Sequence, residues 1–462
     1  MDSKAKRSAS EAIYLGIDVG GTKIQASLIT QGGVVLSRHR CPTPRDGGAE
    51  DILKAIIAAA DETMEEESVG RDQLTAVGIA IPGVVDPERG FVVVTPNMGL
   101  TGISVGSQLE EYFGVPVALG NDCNLGALGE SWLGSARGTS SSIAILVGTG
   151  VGSGIVRKGK LWTGARESAG EIGHIVMQIG GPQCGCGNYG CLEALASRTA
   201  IERDIRQGVE AGRTTILSEL LEGDLSLIRS SSLCRALEAN DELVTEVMQG
   251  ASEVLGYGFL TVRHLIDPEV IVLGGGVAEA CSGFMLPIIE RILDSDRLTG
   301  AREGGHVVLS ALGDDAVVLG AAALAATKAG LSPFDPKYSV CPKYPQIGDT
   351  SFGTISIGKK THEVDVLIRV DGKVKKRKKA AVKERHGTSH VVDVQELERV
   401  CRCGPEVVFI GSGHQGQMAL NAEAELFLRQ RRIRLEVAPT PKLAEVYNAC
   451  TGRKAALIHV TC

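Results

Sequence analysis

The sequence predicts an α/β protein of two similar lobes followed by a smaller α/β domain. Three observations carry this. A unit of apolar strand, glycine turn and apolar strand occurs twice, as IYLGIDVGGTKIQASLI from Ile13 to Ile29 and as IAILVGTGVGSGIV from Ile143 to Val156. Setting Ile17-Asp18-Val19-Gly20-Gly21-Thr22 against Val147-Gly148-Thr149-Gly150-Val151-Gly152 aligns the two turns and points to an internal duplication. Composition then shifts after Gly330, and strand–helix alternation resumes beyond it. At 462 residues the chain is long enough for more than one domain, and 59 glycines with only 4% aromatics suit many tight turns between strands and helices.

In the first hairpin, Asp18 ends the first strand and Gly20, Gly21, Thr22 and Lys23 make the turn. Glycines expose backbone N–H groups that can line a phosphate, although no GxxxxGK[ST] loop is present. The spacing predicts a helix over 50–66. Ala76 to Gly83 reads as a buried strand ending at Pro82-Gly83, and Thr95-Pro96-Asn97 follows another strand. Residues 109–113 read as the tail of a helix, and Ala118 to Asn124 as a strand entering a helix over 124–132. The second hairpin sets Gly148, Thr149, Gly150 and Gly152 around its turn. Residues 197–260 are mostly helical. A third turn, Gly274-Gly275-Gly276, follows Val270-Ile271-Val272 and reads either as a seat for adenosine or as an ordinary strand-to-helix connection. An Ala-rich helix over 316–330 returns the chain to the first lobe. Two lobes that each offer a glycine turn to a shared cleft would hold a phosphate chain from both sides, which is the plan of the actin-like ATPase and sugar-kinase fold.

The richest stretch is GEIGHIVMQIGGPQCGCGNYGCLE, Gly170 to Glu193. His174, Cys184, Cys186 and Cys191 are the residue types of a tetrahedral zinc site, and three thiolates with an imidazole favour zinc over calcium or magnesium. Four protein ligands leave no open position, so the ion is expected to be structural. Glu171 and Glu193 are left over; two carboxylates held near one point suit the hydroxyls of a sugar or other polyol.

Asp122, between Asn121 and Asn124, has two readings. It caps the helix that follows, or it is a general base that takes a proton from a primary hydroxyl as that oxygen attacks a γ-phosphoryl group. Under the second reading Asn97 and Asn121 hold other hydroxyls.

Totals narrow the classes. A net charge of −7 argues against nucleic acid as the main partner. No run of about 18 apolar residues occurs, so no membrane span is expected. Residues 1–10, MDSKAKRSAS, are polar with no apolar region behind them, so no secretory signal is expected. Twelve scattered cysteines then fit a reducing cytoplasm.

IDVGGTK (17–23), GIAIPGVVD (78–86), TPN (95–97), GNDCNLGALGE (120–130), GTGVGSG (148–154), EIGH (171–174), CGCGNYGCLE (184–193) and LGGGV (273–277) together resemble the ROK family (repressor, open reading frame, kinase) over residues 13–330. The resemblance implies two actin-like (ribonuclease H-like) lobes, roughly 13–122 with 312–330, and 123–311. It implies a sugar kinase dependent on ATP and Mg2+, with Zn2+ at His174, Cys184, Cys186 and Cys191. Asp122 matches the catalytic base, and Asn97, Asn121, Glu171, His174 and Glu193 match sugar-contacting positions, so that His174 touches both zinc and sugar. Asp18 to Thr22 and Gly148 to Gly152 match the phosphate and magnesium side. The TPN segment resembles the glucokinase branch, which implies glucose and its 6-hydroxyl; Met98-Gly99-Leu100-Thr101-Gly102 stands where that branch usually carries a tryptophan. A homodimer is also implied. The family's repressors carry an N-terminal helix-turn-helix, for which about a dozen residues before the first strand leave no room.

Residues 1–12 are expected to be a disordered N-terminus, and residues 331–350 read as a linker. From 351 to 462, FGTISIGKK (352–360), PEVVFIGSGHQG (405–416), APTPKLAEVYN (438–448) and ALIHVTC (456–462) resemble the Mth938-like family, which implies a small three-layer α/β domain and no assigned chemistry. Within it, Lys373 to Arg385 is crowded with lysine and arginine and reads as a solvated, mobile loop in preference to a nucleic-acid or phosphate patch.

Overall fold

The computed structural model describes residues 11–44, 47–96, 98–338 and 340–461. They form two compact units. One comprises residues 11–125, 132–135 and those from 314 onward; the other comprises 126–131 and 136–313.

The first unit opens with a five-stranded sheet. Strands β1 (Ile13–Val19), β2 (Lys23–Thr30) and β3 (Val35–Pro42) run antiparallel in succession. Helix α1 (Ala49–Glu66) packs on β2 and β3. Strand β4 (Ala76–Ile81) lies parallel beside β1, the small ribbon β5 (Val84–Asp86) and β6 (Phe91–Val94) follows, and α2 (Val105–Phe113) leads to β7 (Val117–Asn121), parallel to β4. The order is β3-β2-β1-β4-β7. β1 and β4 are buried almost throughout, as sheets covered on both faces require. Helix α3 (Asp122–Leu133) starts directly at the end of β7.

The second unit repeats this sheet. Strands β8 (Ser141–Val147), β9 (Val151–Arg157) and β10 (Lys160–Leu161) run antiparallel, and their helical insertion comprises α4 (Leu192–Ala196), α5 (Arg198–Glu210), α6 (Ile216–Leu220), α7 (Ser230–Glu238) and α8 (Glu242–Ile266). Strand β11 (Val270–Gly274) lies parallel to β8, and after α9 (Gly276–Asp294) strand β12 (His306–Leu309) closes the edge. The order β10-β9-β8-β11-β12 matches that of the first sheet position by position. The duplication predicted from the two glycine turns is therefore a duplication of topology.

The chain returns to the first unit through α10 (Ala316–Lys328), which packs on β1, β4 and β7. The approach is close: a Cβ at Gly78 would stand 1.9 Å from the Ala321 carbonyl oxygen, so only glycine fits there.

The C-terminal part begins earlier than the linker expectation, at β13 (Ile347–Ser351), which joins β14 (Thr354–Ile357) and β15 (Lys360–His362). Strands β16 (Val366–Ile368) and β17 (Val374–Lys376), helix α11 (Lys379–His386), strand β18 (Val391–Val392), helix α12 (Val394–Val400), strands β19 (Val407–Ser412) and β20 (Ala419–Leu420), helix α13 (Ala422–Gln430), strand β21 (Arg434–Ala438), helix α14 (Thr440–Ala449) and strand β22 (Lys454–His459) complete it. Its main sheet has the order β17-β16-β22-β19-β21. The solvated loop expected over Lys373 to Arg385 is not what forms: the stretch supplies β17 and α11, and Arg377 is fully buried. Two carboxylates inside the domain cause this. The Arg377 guanidinium bonds both oxygens of Glu396, at 2.8 and 2.7 Å, and Asp365 at 3.3 Å.

Within the first unit the C-terminal part is riveted to the β2–β3 turn. Buried Arg453 donates to the carbonyls of Gly32 (2.5 Å), Gly33 (3.4 Å), Cys403 (2.7 Å) and Gly404 (3.3 Å). Among the described residues no helix is long and apolar enough to cross a membrane.

Candidate active site

In the first unit, three parallel strands carry residues that are distant in sequence to one sheet edge. Asp18 lies at the end of β1 and Asn121 at the end of β7, with β4 between them and Asp122 opening α3. Strand ends of this kind are where α/β sheets present ligand groups. The Asp18 carboxyl is pushed up to about 7, first by burial and then by the Asp122 carboxylate, against the pull of Lys23 and Arg40. Asp122 is likewise raised by burial, offset by hydrogen bonds that include the Cys123 N–H at 2.9 Å. Two buried carboxyls at one sheet edge therefore each resist ionising.

Asn121 performs the helix-capping task that was one reading of Asp122. Its Oδ1 accepts the Asn124 N–H at 3.1 Å, and its Nδ2 donates to the Gly83 carbonyl at 3.0 Å. This ties the Pro82-Gly83 turn to the start of α3 and leaves the Asp122 carboxylate for other work. Asn97 lies outside the described residues. Beside it, Thr95 N–H bonds Thr101 Oγ1 at 3.1 Å and Thr95 Oγ1 bonds the Met98 carbonyl at 2.8 Å, so the segment without the tryptophan is fastened by two threonines.

The turn after β1 is closed by Gly20 N–H to Lys23 O at 2.9 Å, and Thr43 Oγ1 holds the Gly20 carbonyl at 2.6 Å. A Cβ at Gly21 would meet nothing, so the backbone there is open for approach. Lys23 already belongs to β2. Sequence reasoning missed Asp314, which pairs with Arg40 at 3.1 Å and Lys23 at 3.8 Å and adds its charge to those around Asp18. It stands nearly 300 positions from Asp18 and belongs to none of the motifs.

In the second unit the turn between β8 and β9 is Gly148-Thr149-Gly150. It is closed by Gly148 N–H to Gly150 O at 2.9 Å, and a Cβ at Gly148 would meet open space. Gly152 is within β9, paired with Leu146. Gly274 ends β11, and Gly275, at φ +89°, packs so closely on Val147 that a Cβ would lie 2.6 Å from its backbone. The third glycine turn therefore adjoins the second and opens α9 at Gly276.

Below the turn lies the cysteine cluster. The ligand atoms of His174, Cys184, Cys186 and Cys191 all fall within 4.8 Å of one another. Cys184 Sγ is 3.6 Å from His174 Nδ1, and Cys186 Sγ is 3.8 Å from Cys191 Sγ. A tetrahedral zinc with bonds of about 2.3 Å to sulfur and about 2.0 Å to nitrogen sets S···S near 3.8 Å and S···N near 3.5 Å, so the four residues fit the ion. Burial pushes the Cys184 thiol up to about 12 and raises Cys191, while the Asn188 backbone N–H lowers Cys186. The loop closes because Gly190, at φ +71°, lets its neighbour Cys191 pair with Val176; a Cβ on Gly190 would stand 1.7 Å from the Gln178 carbonyl.

His174 Nδ1 faces the sulfurs and Nε2 faces Glu171 at 4.0 Å. One ring thus has a metal side and an outward side. Glu193 joins the cluster to the turn between β8 and β9. Its Oε2 accepts the Val151 N–H at 2.9 Å, and its Oε1 lies 3.5 Å from Cys184 Sγ. A Cβ at Gly150 would strike that carboxylate at 2.3 Å. Glu130, quoted in a motif but given no role, accepts from Ser310 Oγ (2.7 Å) and Leu312 N–H (3.0 Å) and so fixes the chain after β12.

Both parts of the chain resemble known proteins. The ROK family model matches residues 14–328, and a model for a protein of unknown function (DUF498/DUF598) matches residues 347–459. The glucokinase of Halalkalibacterium halodurans is 33% identical over 313 residues, 67% of this chain and 94% of that protein. The N-acetylglucosamine repressor of Escherichia coli is 29% identical over 310 residues, 67% of this chain and 74% of the repressor. A ROK family glucokinase from Streptomyces griseus, solved in complex with glucose and AMPPNP, is 32% identical with a TM-score of 0.60, covering 69% of this chain and all of that one. With its duplicated sheets and an appended α/β domain of unknown function, this chain belongs to the ROK family.

Proposed function

We propose that the chain is an ATP-dependent hexose kinase that converts glucose to glucose 6-phosphate. The observation that carries this reading is Asp122: a carboxylate with a raised pKa at a strand end, released from helix capping by Asn121, beside a second carboxyl at Asp18. Asp122 accepts the proton of the 6-hydroxyl as that oxygen attacks the γ-phosphoryl group. Asn97, Asn121, Glu171, Glu193 and the outward Nε2 of His174 bind sugar hydroxyls. The turns at Gly20 to Thr22 and Gly148 to Gly150 offer N–H groups to the phosphates, and Gly274 to Gly276 flank the adenosine. Asp18 would hold Mg2+, which when bound neutralises phosphate charge; its carboxyl gains most from a cation because burial and Asp122 both oppose its ionisation. Zinc on His174, Cys184, Cys186 and Cys191 would orient Glu171, His174 and Glu193. The glucokinase likeness supports glucose as the substrate. We further assign the C-terminal part to the Mth938-like fold and the active form to a cytoplasmic homodimer.

Asp122→Asn tests the base. The expected result is a fall in kcat of about 10²-fold or more with glucose affinity kept within a few-fold, measured by coupled ADP release and by calorimetry. Turnover at the normal rate in this variant removes Asp122 from the mechanism.

A further inference from the structure

The C-terminal part contains a cavity of about 520 Å³ whose lining includes Arg369, Lys375, Lys376, Lys378, Arg399 and Arg402. Three pieces of chain bring them together. Arg369 follows β16, the lysines lie on and just after β17, which pairs with β16 through Leu367 and Lys375, and the two remaining arginines sit at and beyond the end of α12.

The basic run is sorted by partner. Arg377, Lys379 and Arg385 are each engaged with carboxylates, at Glu396 and Asp365, at Asp365, and at Asp393. Lys375, Lys376, Lys378, Arg399 and Arg402 are exposed on the cavity and have no ion-pair partner among the described residues. Arg369 pairs with Asp371 at 3.3 Å, yet its Nε is buried without a hydrogen bond. Of the two carboxylates in the lining, Glu396 is already bound by Arg377, which leaves Glu398 against five cations. Like charges gathered in one concavity repel, and a multivalent anion relieves that repulsion.

We propose that this cavity binds a small anion carrying two or more phosphate groups. The volume is that of a small-molecule site. Arginine forks and mobile lysine ammoniums are the groups that recognise phosphate oxygens. Among the described residues Leu367 is the single apolar residue of the lining and no aromatic ring lines it, so these residues provide no stacking surface for a nucleobase. The shared chemistry covers inorganic polyphosphate and bisphosphorylated sugars. The proposal does not depend on the kinase reading.

Titration calorimetry on the full chain tests it, with inorganic tripolyphosphate in one arm and glucose 1,6-bisphosphate in the other to separate the two sources. The expected result is saturable binding of at least one of them, weakened about tenfold or more by Lys376→Gln with Arg399→Gln, and weakened between about 0.05 and 0.5 M salt. Lys359→Gln with Lys360→Gln, exposed in the same domain but outside the lining, should change affinity by less than about twofold. Circular dichroism checks that each variant is folded. Three outcomes overturn the proposal: no saturable binding of either anion, binding unchanged in the cavity variant, or equal loss in both variants. A single-stranded oligonucleotide that binds through Lys376 and Arg399 while neither small anion binds overturns it in favour of nucleic acid.

Discussion

Asp18 and Asp122 are 104 positions apart and still influence each other's ionisation. Asp18 is a strained group in the electrostatic sense, and this has a stability consequence. Its folded pKa of about 7 exceeds that of an unfolded aspartate, about 3.9. The folded state therefore holds this proton more tightly, so the contribution of Asp18 to stability is fully present below about pH 4 and is lost as pH rises through about 7. Asn keeps the shape without the charge. Asp18→Asn is expected to raise the melting temperature at pH 8 by about 2–4 °C, with little change at pH 4, while phosphoryl transfer is lost. A melting temperature at pH 8 equal to or below that of the parent contradicts the burial account.

At the scale of elements, the loop proposed to hold zinc depends on backbone geometry as much as on His174 and its cysteines. Gly190→Ala places a methyl group against the Gln178 carbonyl at a position of φ +71°. Zinc content, read by atomic emission, is expected to drop well below one ion per chain, and glucose affinity is expected to fall with it. Full zinc occupancy in that variant separates the loop's shape from metal binding. The clustering of His174 with the three cysteines was legible in the sequence because it is local: the four lie within 18 residues. The glycine hairpins were legible for the same reason, since each is two apolar strands and a turn. The Asp18–Asp122 pairing was not, because it exists only once β1, β4 and β7 align in parallel. Nor was the fate of the basic run. A lysine-rich stretch looks solvated until Glu396 and Asp365 are found inside the fold, where they draw Arg377 in. Asn121 as the cap, in place of Asp122, also required the turn at Gly83, whose carbonyl anchors the amide.

Across the whole molecule, two duplicated sheets carry the ROK motifs, and the appended domain is fastened to the first of them. Arg453 is the rivet. It is buried, has four carbonyl acceptors, and holds the β2–β3 turn that follows the β1–β2 hairpin. Arg453→Leu leaves those carbonyls without their donor and is expected to cost about 2–5 kcal/mol of stability in denaturant unfolding. A change under about 0.5 kcal/mol contradicts the rivet. Under the proposed function these parts serve phosphoryl transfer to a sugar. The measurement that tests it most directly is coupled ADP release by the zinc-replete full chain with ATP and Mg2+ against glucose, N-acetylglucosamine, N-acetylmannosamine, mannose, fructose and allose. The account predicts one clear favourite, glucose, with phosphorus NMR placing the phosphate on the 6-oxygen. Sugar binding with no release of ADP above the sugar-free background contradicts it and makes the chain a sensor.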